Sequence, residues 1–195
     1  MKAHTLWFVL LCAVWPATGF TQKSTAPQKT IDNLNTAATG EANASHRYTL
    51  FAQKADQEGY AQVAKLFRAA ALAESIHEKN HESVLRSLGV EPRKPVLDNV
   101  KVGTTRENLE VPITGEANEA DTMYPSFVEE ARRQNVPAAV KSFTYALDTE
   151  AEHEKLFKDA LEHLGHNARA DYYVGKVSGD TVTAPTTREP YTKIE

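Results

Sequence analysis

The chain has 195 residues, enough for one ordinary domain with appendages and too few for two large ones. It is 41% hydrophobic and 25% charged, a composition that folds, and its formal charge of −4 leaves no basic footprint for nucleic acid. The single cysteine, Cys12, lies close to the N-terminus, so the rest of the chain excludes disulfides, thiolate metal sites and cysteine nucleophiles.

Lys2 opens the chain, Leu6 to Trp15 is an uninterrupted apolar run, and Ala17-Thr18-Gly19 is a small-residue cleavage pattern. Ten apolar residues are too few for a bilayer core that needs about 20 in a helix. Residues 1–19 therefore read as a signal peptide and 20–29 as a linker. A periplasmic or otherwise exported protein follows, with no membrane association after cleavage.

From there apolar residues recur at three- and four-residue steps. A first helix is expected from about Ile31 to Glu58, with Thr30 as N-cap and Gly59 as stop. A second runs from about Tyr60 to Leu88 and ends at Gly89. A third starts near Thr105, where Thr104 and Glu107 form a capping box, and ends near Asn135. A fourth follows Pro137 and stops at Gly165. Each is about 28 residues, or roughly 40 Å long. Short links make the first and second, and the third and fourth, antiparallel hairpins. The stretch from Val90 to Gly103 is long enough to cross the bundle end to end. The fold class is thus all-α, a ferritin-like four-helix bundle with one long crossover over residues 30–165. Residues 166–195 lose helical periodicity, carry Gly175, Gly179, Pro185 and Pro190, and read as a short irregular or β-rich tail.

The two hairpins repeat each other. TGEANASHRY at Thr39–Tyr48 matches TGEANEADTMY at Thr114–Tyr124, and ALAESIHEK at Ala71–Lys79 matches ALDTEAEHEK at Ala146–Lys155. Within these segments Glu74 and His77 lie three apart, as do Glu150 and His153, so each pair shares a helix face. Apolar stripes identify that face as the inner one: Val63, Phe67 and Ala70 lead to Glu74, while Val140, Phe143 and Leu147 lead to Glu150. Glu41 sits in mid-stripe between Leu34 and Tyr48, and Glu116 follows Leu109 and Ile113. Four glutamates and two histidines facing an apolar interior, with no Lys or Arg on the stripes, call for cations. One Glu from each of two helices plus Glu-x-x-His from each of the other two is a dinuclear carboxylate pattern. Oxygen and imidazole donors suit iron or manganese, with zinc as a possible substitute.

The repeat breaks at one place. Ala44 in the first half corresponds to Glu119 in the second, and the second copy is one residue longer before its tyrosine. An insertion inside a helix is absorbed as a π-turn, here expected to aim both Glu116 and Glu119 at the metals. His46, His81, His163 and His166 receive no role and read as surface or packing histidines.

From Thr30 to Leu164 the chain resembles the rubrerythrins, on the motifs GEANASHRY, AESIHEK, GEANEADTMYP and EAEHEK. The resemblance implies two non-haem irons bridged by Glu74 and Glu150, with Glu41 and Glu116 as terminal ligands and His153 on the second iron. It implies that Glu119 and His77 exchange at the first iron with its redox state, and that Tyr48 and Tyr124 hydrogen-bond ligand carboxylates. Glu119, His77, Tyr48 and Tyr124 are thereby the candidates for the chemical steps. The implied activity is reduction of hydrogen peroxide to water, and a homodimer is expected on the same ground. The family's members often continue into a rubredoxin module. Tyr172 to Gly179 keeps its frame, with Gly175 and Ser178 at the cysteine positions. No rubredoxin-type iron is expected, and electrons must come from an external redox donor protein. A ferroxidase or iron-binding role is the alternative. A purely structural bundle would not keep five inward carboxylates.

Overall fold

The computed structural model describes residues 26–195; the expected leader, Cys12 and residues 20–25 of the linker lie outside the described residues. Helices α1 (Gln28–Gln57) and α2 (Ala61–Ser87) form the first hairpin. The second is α3 (Thr105–Asn118), a π-turn (Glu119–Met123), α4 (Tyr124–Arg133) and α5 (Pro137–Glu162). Gly59 (φ 83°) and Gly89 (φ 76°) end α1 and α2 as expected. The capping box forms as well: the Glu107 amide donates to Thr104 Oγ1 at 3.3 Å and the Thr104 amide to Glu107 Oε2 at 2.7 Å.

One local expectation is corrected. The helix begins at Gln28 with Pro27 at the N-cap, not at Ile31 with Thr30 as cap. Thr30 is instead fully buried inside the first turn, where its amide donates to Gln134 Oε1 at 2.8 Å. The third helix is interrupted as the broken repeat predicts. The π-turn interrupts it where the second repeat carries its extra residue, just ahead of Pro125, which has no amide to offer an α-helical bond.

Between the hairpins, residues 88–104 run without regular structure along α1. Three side-chain amides pin this crossover. Asn35 Oδ1 accepts from the Arg93 amide at 3.0 Å, Asn43 Oδ1 from Asp98 at 2.7 Å, and Asn108 Oδ1 from Gly103 at 2.8 Å.

The apolar interior is two clusters rather than one. Tyr48, Phe51, Phe67 and Phe157 stack in one with ring centroids 5.3–6.5 Å apart. Leu34, Leu85, Tyr124 and Phe143 anchor the other. Along α1 the order Leu34, Glu41, Tyr48 passes from one cluster to the other, as do Phe67, Glu74, Leu85 along α2 and Phe143, Glu150, Phe157 along α5. The carboxylates therefore form a polar layer between two aromatic floors, and this is what shields them from water. Truncating a floor residue such as Phe67 or Phe157 to alanine costs about 3–5 kcal/mol in sites of this kind.

The tail folds as a three-stranded antiparallel sheet in the order β2-β1-β3, from β1 (Tyr173–Gly175), β2 (Thr181–Val182) and β3 (Tyr191–Lys193). It packs on α2 and α5: Gln62 Nε2 donates to the Ala170 carbonyl at 3.0 Å and Asn80 Nδ2 to the Val177 carbonyl at 2.9 Å. Among the described residues no helix is long and apolar enough to cross a membrane.

Candidate dinuclear metal centre

The i, i+3 spacing on α2 and α5 stacks each glutamate one turn from its histidine on the inner face. Glu41 enters from α1 and Glu116 from the last turn of α3. None of Glu41, Glu74, His77, Glu116, Glu150 and His153 is more than 2% exposed. Ligand atoms of Glu41, Glu74, His77 and Glu150 lie within 4.8 Å of one another, and so do those of Glu74, Glu116, Glu150 and His153. Glu74 and Glu150 belong to both groups, so two cations could sit side by side and share both carboxylates.

The histidines turn the same nitrogen inward. His77 Nδ1 is 3.0 Å from Glu74 Oε2, 3.6 Å from Glu150 Oε1 and 3.8 Å from Glu41 Oε1. His153 Nδ1 is 3.1 Å from Glu74 Oε1 and 3.6 Å from Glu150 Oε2. Their outer nitrogens are held by the tail, His77 Nε2 on the Ser178 carbonyl at 3.0 Å and His153 Nε2 on Thr181 Oγ1 at 2.9 Å. The tyrosines bond crosswise between the halves, Tyr48 to Glu116 and Tyr124 to Glu41.

Five atoms of this layer are buried with no aligned hydrogen bond: Glu74 Oε1, Glu116 Oε2, both oxygens of Glu150, and His153 Nδ1. Each such atom costs about 1–3 kcal/mol when left unpaired. All five belong to the two four-residue groups, and all five are atoms through which these side chains bind cations. The residues present fit a pair of divalent metal ions.

Electrostatics says the same. Burial pushes Glu41 and Glu150 well above the ordinary carboxylate range, and Glu74 adds to it in both cases. Glu116 is also raised, by burial first. Burial works to raise Glu74 too, but His153 and His77 overcome it and bring it down to about 2. Burial and the neighbouring carboxylates raise Tyr48 and Tyr124 well above 10, so both stay protonated as donors.

The structure thus brings together six of the seven expected ligands. Glu119 stands apart: it sits on the π-turn, half-buried, outside both four-residue groups. It remains within reach of their charge, since burial, Glu116 and Glu74 push it up to about 8. One residue given no role proves to be part of the layer. His81 is fully buried, with Nδ1 2.8 Å from Ser142 Oγ and Nε2 3.3 Å from the Tyr124 hydroxyl. The available signal was its position four residues after His77, one turn further along the same face.

The family model described as Rubrerythrin matches residues 32–161. Rubrerythrin-2 of Clostridium acetobutylicum is 37% identical over 150 residues, covering 76% of this chain and 79% of that protein. A solved structure of nigerythrin in its fully reduced, all-ferrous state superposes with a TM-score of 0.76 at 29% identity, over 80% of this chain and 77% of that one. Bacterioferritin BfrA of Mycobacterium tuberculosis shares the fold, with a TM-score of 0.65 at 20% identity over 71% of this chain and 87% of its own. With two thirds of its length matched by the family model and its buried carboxylate–histidine layer inside that span, the chain belongs to the rubrerythrin family.

Proposed function

We propose that this protein is a di-iron peroxidase that reduces hydrogen peroxide to water with electrons from an external donor, protecting against oxidative stress. The observation that carries the reading is the pair of ligand groups sharing Glu74 and Glu150, with five buried polar atoms left for metal. Two ferrous ions held there would supply one electron each to the overall reaction H2O2 + 2 H+ + 2 e− → 2 H2O. Manganese or zinc would be accepted by the same donors.

The chain's own residues divide the remaining work. Glu41 and His77 would hold one ion and Glu116 and His153 the other, while Glu74 and Glu150 would serve both. Tyr48 and Tyr124 hold Glu116 and Glu41 in place by donating to them, which fixes the orientation in which those carboxylates would meet the ions. In the metal-free protein, burial, Glu116 and Glu74 push Glu119 up to about 8, and Glu119 is the residue assigned to deliver one of the two protons that the reaction consumes. By the resemblance to the family, Glu119 and His77 would be the two alternative ligands of the first ion, a carboxylate suiting the more highly charged ion and the imidazole the less charged one. The aromatic floors on either side exclude water from the layer.

On the reading of residues 1–19 as a leader, the reaction takes place after export, in a homodimer. With Gly175 and Ser178 in place of cysteines, the electrons come from a separate redox protein. That same replacement favours a second reading, a ferroxidase that oxidises and holds iron. The test is to load the protein anaerobically with 57Fe and record Mössbauer spectra, then follow steady-state peroxide consumption with a chemical electron donor. A coupled pair of irons and turnover with peroxide support the peroxidase. Oxygen-driven uptake well beyond two irons per chain supports the ferroxidase.

A further inference from the structure

The segment joining β1 to β2 lies directly on the histidines of the polar layer, and its own conformation is fixed by carboxylates. Glu189 Oε2 accepts from the amides of Val177 at 2.6 Å and Ser178 at 3.1 Å, and Glu189 Oε1 accepts from the Ser178 hydroxyl. Asp180 completes the knot. Its Oδ1 is 3.0 Å from Ser178 Oγ, its amide donates back to that oxygen at 3.1 Å, and its Oδ2 accepts from the Tyr191 hydroxyl at 3.0 Å. The backbone closes around them, with the Gly179 amide donating to the Gly175 carbonyl at 3.0 Å and Lys176 to Pro190 at 2.9 Å.

Both glycines of the segment are required by what they approach. A Cβ at Gly175 would stand 2.7 Å from Glu189 Cδ and also collide with Asp180 Oδ1, so a side chain at this position, cysteine included, is incompatible with the knot. A Cβ at Gly179, whose φ is 83°, would stand 2.5 Å from His77 Nε2 and 3.3 Å from the Ala73 carbonyl. The carboxylate of Glu189 lies against Gly175 and Ser178, the positions where the family resemblance places cysteines, and gathers the segment there.

We propose that Glu189 and Ser178 form a metal-free clasp seating residues 175–181 on the bundle, so that the Ser178 carbonyl and Thr181 hydroxyl position His77 and His153. The chemistry at His77 is specific. A carbonyl only accepts, so Nε2 carries the hydrogen whenever that bond is made, and Nδ1 is the nitrogen presented to the carboxylates. At His153 a hydroxyl takes the same place and can accept from Nε2 while donating elsewhere. Glu189, Ser178 and Thr181 are positioning residues in this account, acting through the histidines. In this account the tail is the outer support of the site.

The proposal rests on the reading of both histidines as metal ligands, and two measurements separate the ideas. In the metal-free protein, 15N-edited NMR follows the ring N–H groups of His77 and His153. The wild type should show both as slowly exchanging, and E189A should exchange the His77 ring N–H at least about tenfold faster while the helical content is unchanged. Titration with cobalt(II) should then show E189A binding about 10–100-fold more weakly. T181A provides an independent arm should E189A fail to fold: it should lose protection at His153 alone, and T181S should restore it. Wild-type protection and cobalt affinity in a folded E189A, or unchanged His153 protection in T181A, overturns the clasp. Loss of protection in E189A with no cobalt bound by the wild type upholds the clasp and sinks the metal reading.

Discussion

Tyr124, in the second half of the chain, donates its hydroxyl to Glu41 in the first, and Tyr48 returns the bond to Glu116. Each hairpin thus holds the other's carboxylate, and neither half of the layer is complete alone. Replacing Tyr124 with Phe leaves one oxygen of a buried carboxylate unpaired and deprives His81 Nε2 of its partner. We expect Y124F to lose about 1–3 kcal/mol in urea unfolding of the metal-free protein. The loss should be non-additive with a substitution at His81, because both side chains share the network.

His81 makes a second prediction, on acid stability. Burial first, and then the charge of His77, lowers it to about 3. Its ordinary value is near 6.5, so below that pH the unfolded chain binds a proton that the folded one refuses. Its contribution is therefore fully present above about pH 6.5 and is lost as pH falls toward 3. H81L should remove up to about 1.4 kcal/mol per pH unit from the slope of unfolding free energy across that window. Urea titrations at pH 4, 5, 6 and 7 measure it; parallel slopes in H81L and wild type count against the buried neutral histidine.

The carboxylates act in the opposite sense. Glu41, Glu116, Glu119 and Glu150 are all raised in the folded protein, burial being the largest cause in each. The folded state then binds more protons than the unfolded one, and stability falls as pH rises above about 4.5, for Glu119 until about 8. Glu74, lowered to about 2, contributes stability that is fully present above about pH 4.5 and is lost as pH falls from there toward 2. The metal-free protein should therefore have a lower melting temperature at pH 8 than at pH 6. Divalent metal should reverse the order, because it replaces those protons and binds more tightly as they leave. Scanning calorimetry with and without metal at the two pH values decides it.

These features differ in how far the sequence reveals them. The helices, the crossover and the inward carboxylates follow from periodicity and from a repeat whose halves corroborate each other, because a Glu-x-x-His on an apolar stripe is a local pattern. The π-turn was also legible, since one extra residue between Glu116 and Tyr124 has to be absorbed somewhere. The start of α1 was not, because Thr30 is drawn inward by Gln134, a residue 104 positions away. His81 was missed for the same reason: its partners Ser142 and Tyr124 lie 61 and 43 positions away. The seating of Ser178 and Thr181 on the histidines depends on a tail docking no local pattern specifies.

Glu74 is shared by both ligand groups and lies closest to both histidines. E74A should therefore abolish loading of two metals together. E41A, which touches only the first group, should leave one ion in the second. Metal content per chain after loading and desalting, read by elemental analysis, separates the two patterns. Equal loss in both variants would contradict the shared-carboxylate geometry.

The central claim is that this layer holds two irons that react with peroxide. Anaerobic stopped-flow spectroscopy of the diferrous protein, mixed separately with hydrogen peroxide and with oxygen, addresses it most directly. The account predicts fast oxidation by one equivalent of peroxide per iron pair and a slow reaction with oxygen. Oxygen reacting as fast as peroxide or faster, with further iron taken up by each chain, would contradict it.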